Sequence, residues 1–232
     1  MKTTVYIPTI PEHFGNISTI IEDYSSGTER PDEIIVFLSR SREVSMEHQY
    51  AISRHPSKLV TLVKSPARVY AGPARQQAQN LAHGDVVLYQ DSDDRPHPYR
   101  VEWVKRLFET RDCMVVNHSY FYKQQPTWDF EWKNMRVVQG QTLRDLYFPN
   151  EDVTECRKYT AAYGGGCDFP VHAGVVCIRR ELLNEIRWKH PDDLVYAPDP
   201  KTKTEDYEFC MDALFKVNRS IVVDAPLYYY AG

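Results

Sequence analysis

Apolar residues in the first hundred positions fall into short dense runs, separated by stretches that alternate at helical spacing. Thr3-Thr4-Val5-Tyr6-Ile7 reads as a strand ended by Pro8. Ile17, Ile20, Ile21 and Tyr24 then recur at the spacing of one helix face. Glu33-Ile34-Ile35-Val36-Phe37-Leu38 is a second strand, nearly all apolar, as expected in a sheet covered on both sides. Lys58 to Val63 predicts a third strand. Gly72-Pro73-Ala74-Arg75 opens a helix with proline in its first turn, continuing through Ala78 and Leu81 to a stop at His83-Gly84. A fourth strand, Asp85 to Tyr89, follows. Strands alternating with helices predict an α/β fold built on a largely parallel, doubly wound sheet.

The pattern loosens afterwards. Tyr99 to Glu109 predicts a helix with Val101, Val104, Leu107 and Phe108 on its apolar face. Met114-Val115-Val116 and Arg136-Val137-Val138 read as strands, with aromatics including Trp128 and Trp132 between them. Residues 150–170 hold Gly164-Gly165-Gly166 and little periodicity, which predicts a mobile loop. Ala173 to Ile178 predicts a strand leading into a helix at Arg180 to Arg187. Thr204 to Val217 and Ser220 to Val223 are the last clear helix and strand. The change near residue 95 resembles a nucleotide-binding half, 1–95, followed by a substrate half, 96–232, within one domain spanning 1–232.

Asp91-Ser92-Asp93-Asp94 stands directly after the fourth strand. Open α/β sheets bind ligands at the C-terminal edge of their strands. Three carboxylates within four residues repel one another, and a divalent cation relieves that repulsion. Oxygen donors favour magnesium or manganese, ions that commonly hold phosphates. An acidic turn after a strand explains the same residues, because Asp is frequent in turns.

Bulk properties narrow the field. The net charge of −4 gives no global attraction to nucleic acid, and no basic stripe interleaved with aromatics occurs. No apolar run approaches the ~18 residues of a membrane span, and the N-terminus lacks the apolar core of a secretory signal. The 5 cysteines are odd in number and form no CxxC pair, which points to free thiols in a reducing compartment. A cytoplasmic protein is the expectation.

Four motifs in order resemble GT-A fold glycosyltransferases, most closely the inverting family 2 type: Val5-Tyr6-Ile7-Pro8-Thr9, Gly72-Pro73-Ala74-Arg75, Asp91-Ser92-Asp93-Asp94 and Thr204-Glu205-Asp206-Tyr207-Glu208-Phe209. The acidic triplet Asp91-Ser92-Asp93 is similar to that family's DxD motif. The resemblance implies a metal-dependent enzyme that moves a sugar from a nucleoside diphosphate, more often UDP, to a hydroxyl acceptor such as a glycan, with inversion.

It also implies roles for individual residues. Pro8 and Thr9 would end the first strand against the nucleotide, although a Pro-Thr pair after a strand is also a plain turn. Asp32 is near enough in sequence to the second strand to reach the base, or to serve as its boundary residue. Arg75 would meet the diphosphate as a fork-shaped cation. Asp93 would coordinate Mn2+ or Mg2+, with Asp91 on the ribose or the metal's water shell and Ser92 between them. Asp206 resembles the catalytic base, the carboxylate that takes the acceptor's proton. Its neighbour Glu205 joins it in the acidic pair, and also fits a capping box with Thr202. His172 would touch the donor sugar, a phosphate or the metal. Trp128 and Trp132 are candidates for stacking on an acceptor sugar.

Two other classes share some of these features. A GT-like module could bind nucleotide-sugar or glycan without turnover, and the chain could be one domain of a longer transferase. A pyrophosphorylase would carry a Gly-rich loop where Pro8-Thr9-Ile10-Pro11 stands, and the P-loop pattern of an ATPase is missing.

Overall fold

The structure is a computed structural model that describes residues 1–122, 137–139, 173–193, 205–215 and 217–230. Its frame is a nine-stranded sheet. Four strands make the parallel half, in the order β3 (Val60–Lys64), β2 (Glu33–Leu38), β1 (Thr3–Thr9) and β4 (Val86–Tyr89). The sheet continues with β8 (Val176–Arg179), β6 (Val115–Tyr122), β9 (Ser220–Tyr230) and β5 (Arg95–Pro96), and β7 (Val137–Gln139) pairs with β9. In this second half β8 runs antiparallel to both β4 and β6, while β6 and β9 are parallel.

Alternate strand residues feed two separate cores. On one face Val5, Ile7, Ile34, Val36, Val86 and Leu88 pack against α1 (Ile17–Ser26) and α5 (Arg100–Thr110). On the other face Tyr6, Ile35, Phe37, Val87 and Tyr89 meet α3 (Ala71–Gln76), α4 (Ala78–Leu81) and α6 (Glu205–Phe215). A strand covered on both sides has no reason to alternate, so β1, β2 and β4 read as continuous apolar runs.

Several expectations need correction. The third strand begins at Val60, and a further helix, α2 (Met46–Ser53), precedes it. Only Gln49 and Ile52 of α2 are buried, so it leaves almost no apolar stripe in the sequence. The helix expected from Gly72 to Leu81 is two pieces meeting at Gln77. Ala173–Val175 is a 3-10 turn ahead of β8, and the helix expected at 180–187 is a short 3-10 segment, Arg180–Asn184. The strand expected to stop at Val223 runs on to Tyr230.

Asp32 sits at the wrong end of the sheet to reach a ligand at the C-terminal edge. Its carboxylate accepts from the backbone N–H of Thr3 at 2.8 Å, where β1 begins. It is a boundary residue. The loop expected at 150–170, together with Trp128, Trp132, His172 and Thr202, lies outside the described residues. Among the described residues, no helix is long and apolar enough to cross a membrane.

Candidate active site

Parallel strands end at one edge, and here that edge is a cleft. Tyr6 of β1 is level with Tyr89 of β4, so Pro8 and Thr9 stand beside the residues that follow β4. A cavity of about 260 Å3 opens there, lined among others by Pro8, Thr9, Arg75, Asp91, Ser92 and Asp93. These are six of the seven residues expected on a nucleotide-sugar; the seventh, His172, lies outside the described residues. His13, Ser39 and Tyr230 line the same cleft and had no sequence signal that singled them out.

Arg75 is delivered by α3. The hydroxyl of Tyr6 donates to the Ala74 carbonyl at 2.8 Å, pinning this short helix to β1. Gly72 lets α3 approach its neighbours: a Cβ there would lie 2.1 Å from the Lys189 carbonyl oxygen and 3.2 Å from Glu205 Cγ. The buried Arg75 side chain then spans three carboxylates. Nη2 meets Asp91 at 2.7 Å, and Nη1 meets Asp206 at 2.6 Å and Glu205 at 3.4 Å. Its guanidinium carbon sits 4.9 Å over the ring of Trp188, which in turn stacks on Phe209 of α6 with centroids 3.7 Å apart.

Burial alone would lower the Arg75 pKa, but the Asp206, Asp91 and Glu205 carboxylates outweigh it and hold the guanidinium firmly charged. Glu205 shifts upward, first because it is buried and then because Asp206 stands next to it. The two acids of the pair are therefore unlike. Glu205 is the more enclosed, with 14% of its side chain exposed against 25% for Asp206.

Within the acidic turn the carboxylates point different ways. Asp91 is buried against Arg75, Asp94 is buried beneath the turn, and Asp93 is exposed towards the cleft. His13, in the 3-10 segment after β1, brings Nδ1 to 3.7 Å from Asp93 Oδ2. Among the described residues no three His, Cys, Asp or Glu side chains already converge on a metal position. A divalent ion held by one or two protein groups, with phosphate oxygens and water completing its shell, needs no such cage. Asp93 and His13 could supply those groups, and imidazole beside carboxylate suits a transition ion such as manganese better than magnesium.

The model of glycosyl transferase family 2 matches residues 4–171. The chain belongs to that family. No curated protein matches it in sequence. Among solved structures, S. aureus TarS 1-349 in complex with UDP-GlcNAc superimposes with a TM-score of 0.68 at 18% identity, covering 99% of this chain and 58% of that one. The mannosyltransferase PcManGT from Pyrobaculum calidifontis, in complex with GDP-Man and Mn2+, gives 0.62 at 18% identity, covering 99% and 56%. Glucosyl-3-phosphoglycerate synthase from Mycobacterium tuberculosis, with Mn2+, UDP and phosphoglyceric acid, gives 0.57 at 20% identity, covering 95% and 66%. The family 2 chain described here therefore has the GT-A glycosyltransferase fold, and it spans about 60% of the length of TarS 1-349.

Proposed function

We propose that this chain catalyses metal-dependent transfer of a sugar from a nucleoside diphosphate, UDP favoured, to a hydroxyl of an acceptor such as a glycan, with inversion. One observation carries the reading: Asp91 after β4 and Asp206 on α6 meet on the single guanidinium of Arg75 at the mouth of the cleft. Residues 115 positions apart are thereby brought to one cation beside the cleft, as expected of a donor site and a base that act on one substrate.

Charge explains the metal. Arg75 is shared by three carboxylates, and Asp93 and Asp94 add two more nearby. A diphosphate approaching alone meets net negative charge, so a divalent cation must accompany it. Asp93 and His13 would hold that cation, with Asp91 behind them; the cation neutralises charge on the departing nucleoside diphosphate. The Mn2+ found with UDP in the mycobacterial synthase and with GDP-Man in the mannosyltransferase supports this choice.

Pro8 and Thr9 flank the nucleotide, and His172 belongs to the donor-sugar side of the same proposal. Asp206 takes the proton from the acceptor hydroxyl as its oxygen bonds to the anomeric carbon and the bond to phosphate breaks on the opposite face. Arg75 aims the Asp206 carboxylate through their 2.6 Å ion pair. Glu205, more enclosed, fixes the start of α6 against α3 rather than moving the proton. Retention of Asp206 beside the donor cleft favours turnover over a module that only binds.

Calorimetric titration of UDP with and without Mn2+ tests the reading, on the wild type and on Asp93→Ala. Manganese-dependent binding lost in Asp93→Ala is the expected result. Failure of the wild type to bind UDP, GDP and dTDP, each with Mn2+, overturns it.

A further inference from the structure

Asp91 and Asp93 can face a ligand only if the chain turns sharply after β4 and keeps Asp94 inward. The backbone bond from the Asp94 N–H to the Asp91 carbonyl is long at 3.4 Å, and Asn16 Nδ2 holds the Ser92 carbonyl at 3.1 Å. A further restraint comes from β9. Tyr228 of β9 is fully buried, and its hydroxyl accepts from the Asp91 backbone N–H at 3.0 Å while donating to Asp94 Oδ2 at 2.9 Å. A single oxygen thus clips both ends of the acidic turn.

The Tyr228 ring has a prepared place. A Cβ on Gly174 would fall 2.1 Å from the Tyr228 hydroxyl oxygen, so only glycine lets the ring approach. The Arg100 guanidinium lies 5.0 Å from the ring centroid on a fully buried side chain, and Nη1 donates to Gln90 Oε1 at 2.8 Å. Gln90 in turn donates to the Asp91 and Asp94 carbonyls at 2.9 and 3.1 Å. The four residues Tyr228, Arg100, Gln90 and Gly174 form a rigid backing for the turn.

We infer that Tyr228 is the positioning residue of the donor site, clamping Asp91 and Asp94 so that the exposed Asp93 is presented to the metal-bound diphosphate. The inference rests on the proposed function. Tyr228 is not expected to touch the ligand; it acts through the turn it holds. Removing the hydroxyl leaves a buried N–H and a buried carboxylate without that partner, and the turn relaxes.

Calorimetry of UDP with Mn2+ on Tyr228→Phe, Asp94→Asn and the double variant tests it, reading affinity and binding stoichiometry separately. A positioning role weakens affinity about tenfold in each single variant while the stoichiometry stays near one. Because both variants break one clamp, the double variant is then no weaker than the weaker single. A merely structural role would instead lower the stoichiometry and leave the affinity of the folded fraction unchanged. Unchanged affinity in Tyr228→Phe overturns the inference, and Asp94→Asn alone decides it if Tyr228→Phe does not fold. A wild type that binds no nucleoside diphosphate overturns the functional reading itself; a wild type that binds, with variants that bind equally well, overturns only the clamp.

Discussion

Arg75 Nη1 lies 2.6 Å from Asp206 Oδ1, which ties α3 to the carboxylate proposed as base. Replacing Asp206 with Asn keeps the shape and removes the proton acceptor. Turnover should fall by about a thousandfold, whereas Mn2+-dependent UDP affinity should stay within about threefold of wild type. Radiometric transfer assays alongside calorimetry separate the two, and an equal loss in both would remove Asp206 from the base role.

Arg75 is expected to determine stability as well as the proposed activity. Arg75→Ala leaves Asp91, Glu205 and Asp206 as buried or half-buried carboxylates around an emptied guanidinium site. A loss of about 3 to 5 kcal/mol is expected in urea unfolding. Arg75→Lys should recover part of the stability and little of the activity, because an ammonium cannot bridge two carboxylates as a fork does.

Gly174→Ala places a methyl where the Tyr228 ring stands, 2.1 Å from its hydroxyl oxygen. Either the ring or the 3-10 turn must move. Overpacking of this kind costs about 2 kcal/mol, and UDP affinity should weaken together with the melting temperature. A variant that loses neither would show that the ring has slack.

His97 carries a pH dependence of stability. It is buried, its Nδ1 accepts from the Tyr99 N–H, and burial lowers its pKa from 6.5 to about 4. Below pH 6.5 the unfolded chain's histidine takes up a proton that the folded one refuses until about pH 4. His97 therefore contributes stability above pH 6.5 that is lost as the pH falls towards 4, on the order of 3 kcal/mol. Unfolding measured from pH 7 to 4 should be flatter for His97→Gln, and parallel profiles would contradict the assignment.

Legibility in the sequence followed burial. β1, β2 and β4 are covered on both faces, so their apolar runs identify them, and the residues after β1 and β4 fall at the sheet edge where a ligand site is expected. α2 buries only Gln49 and Ile52 and was invisible for that reason. The extent of β9 was hidden by Asp224 and Pro226, which interrupt its apolar run; pairing with β6 slips in register where Ser119 meets Pro226. Tyr228 lies beyond that interruption. The partners of Arg75 were equally hidden, since an exposed-looking helix arginine shows no sign in sequence that three carboxylates converge on it. His13, after a proline and a glutamate, gave no signal of its proximity to Asp93.

The hydroxyl clip between Tyr228 and Asp94 joins residues 134 positions apart. Closing so large a loop carries an entropic cost that shorter-range contacts do not. A chain that stops short of β9 lacks this clip, although Pro8, Thr9, Arg75 and Asp93 all precede it. The acidic turn gains its backing only when 220–230 takes its place between β6 and β5.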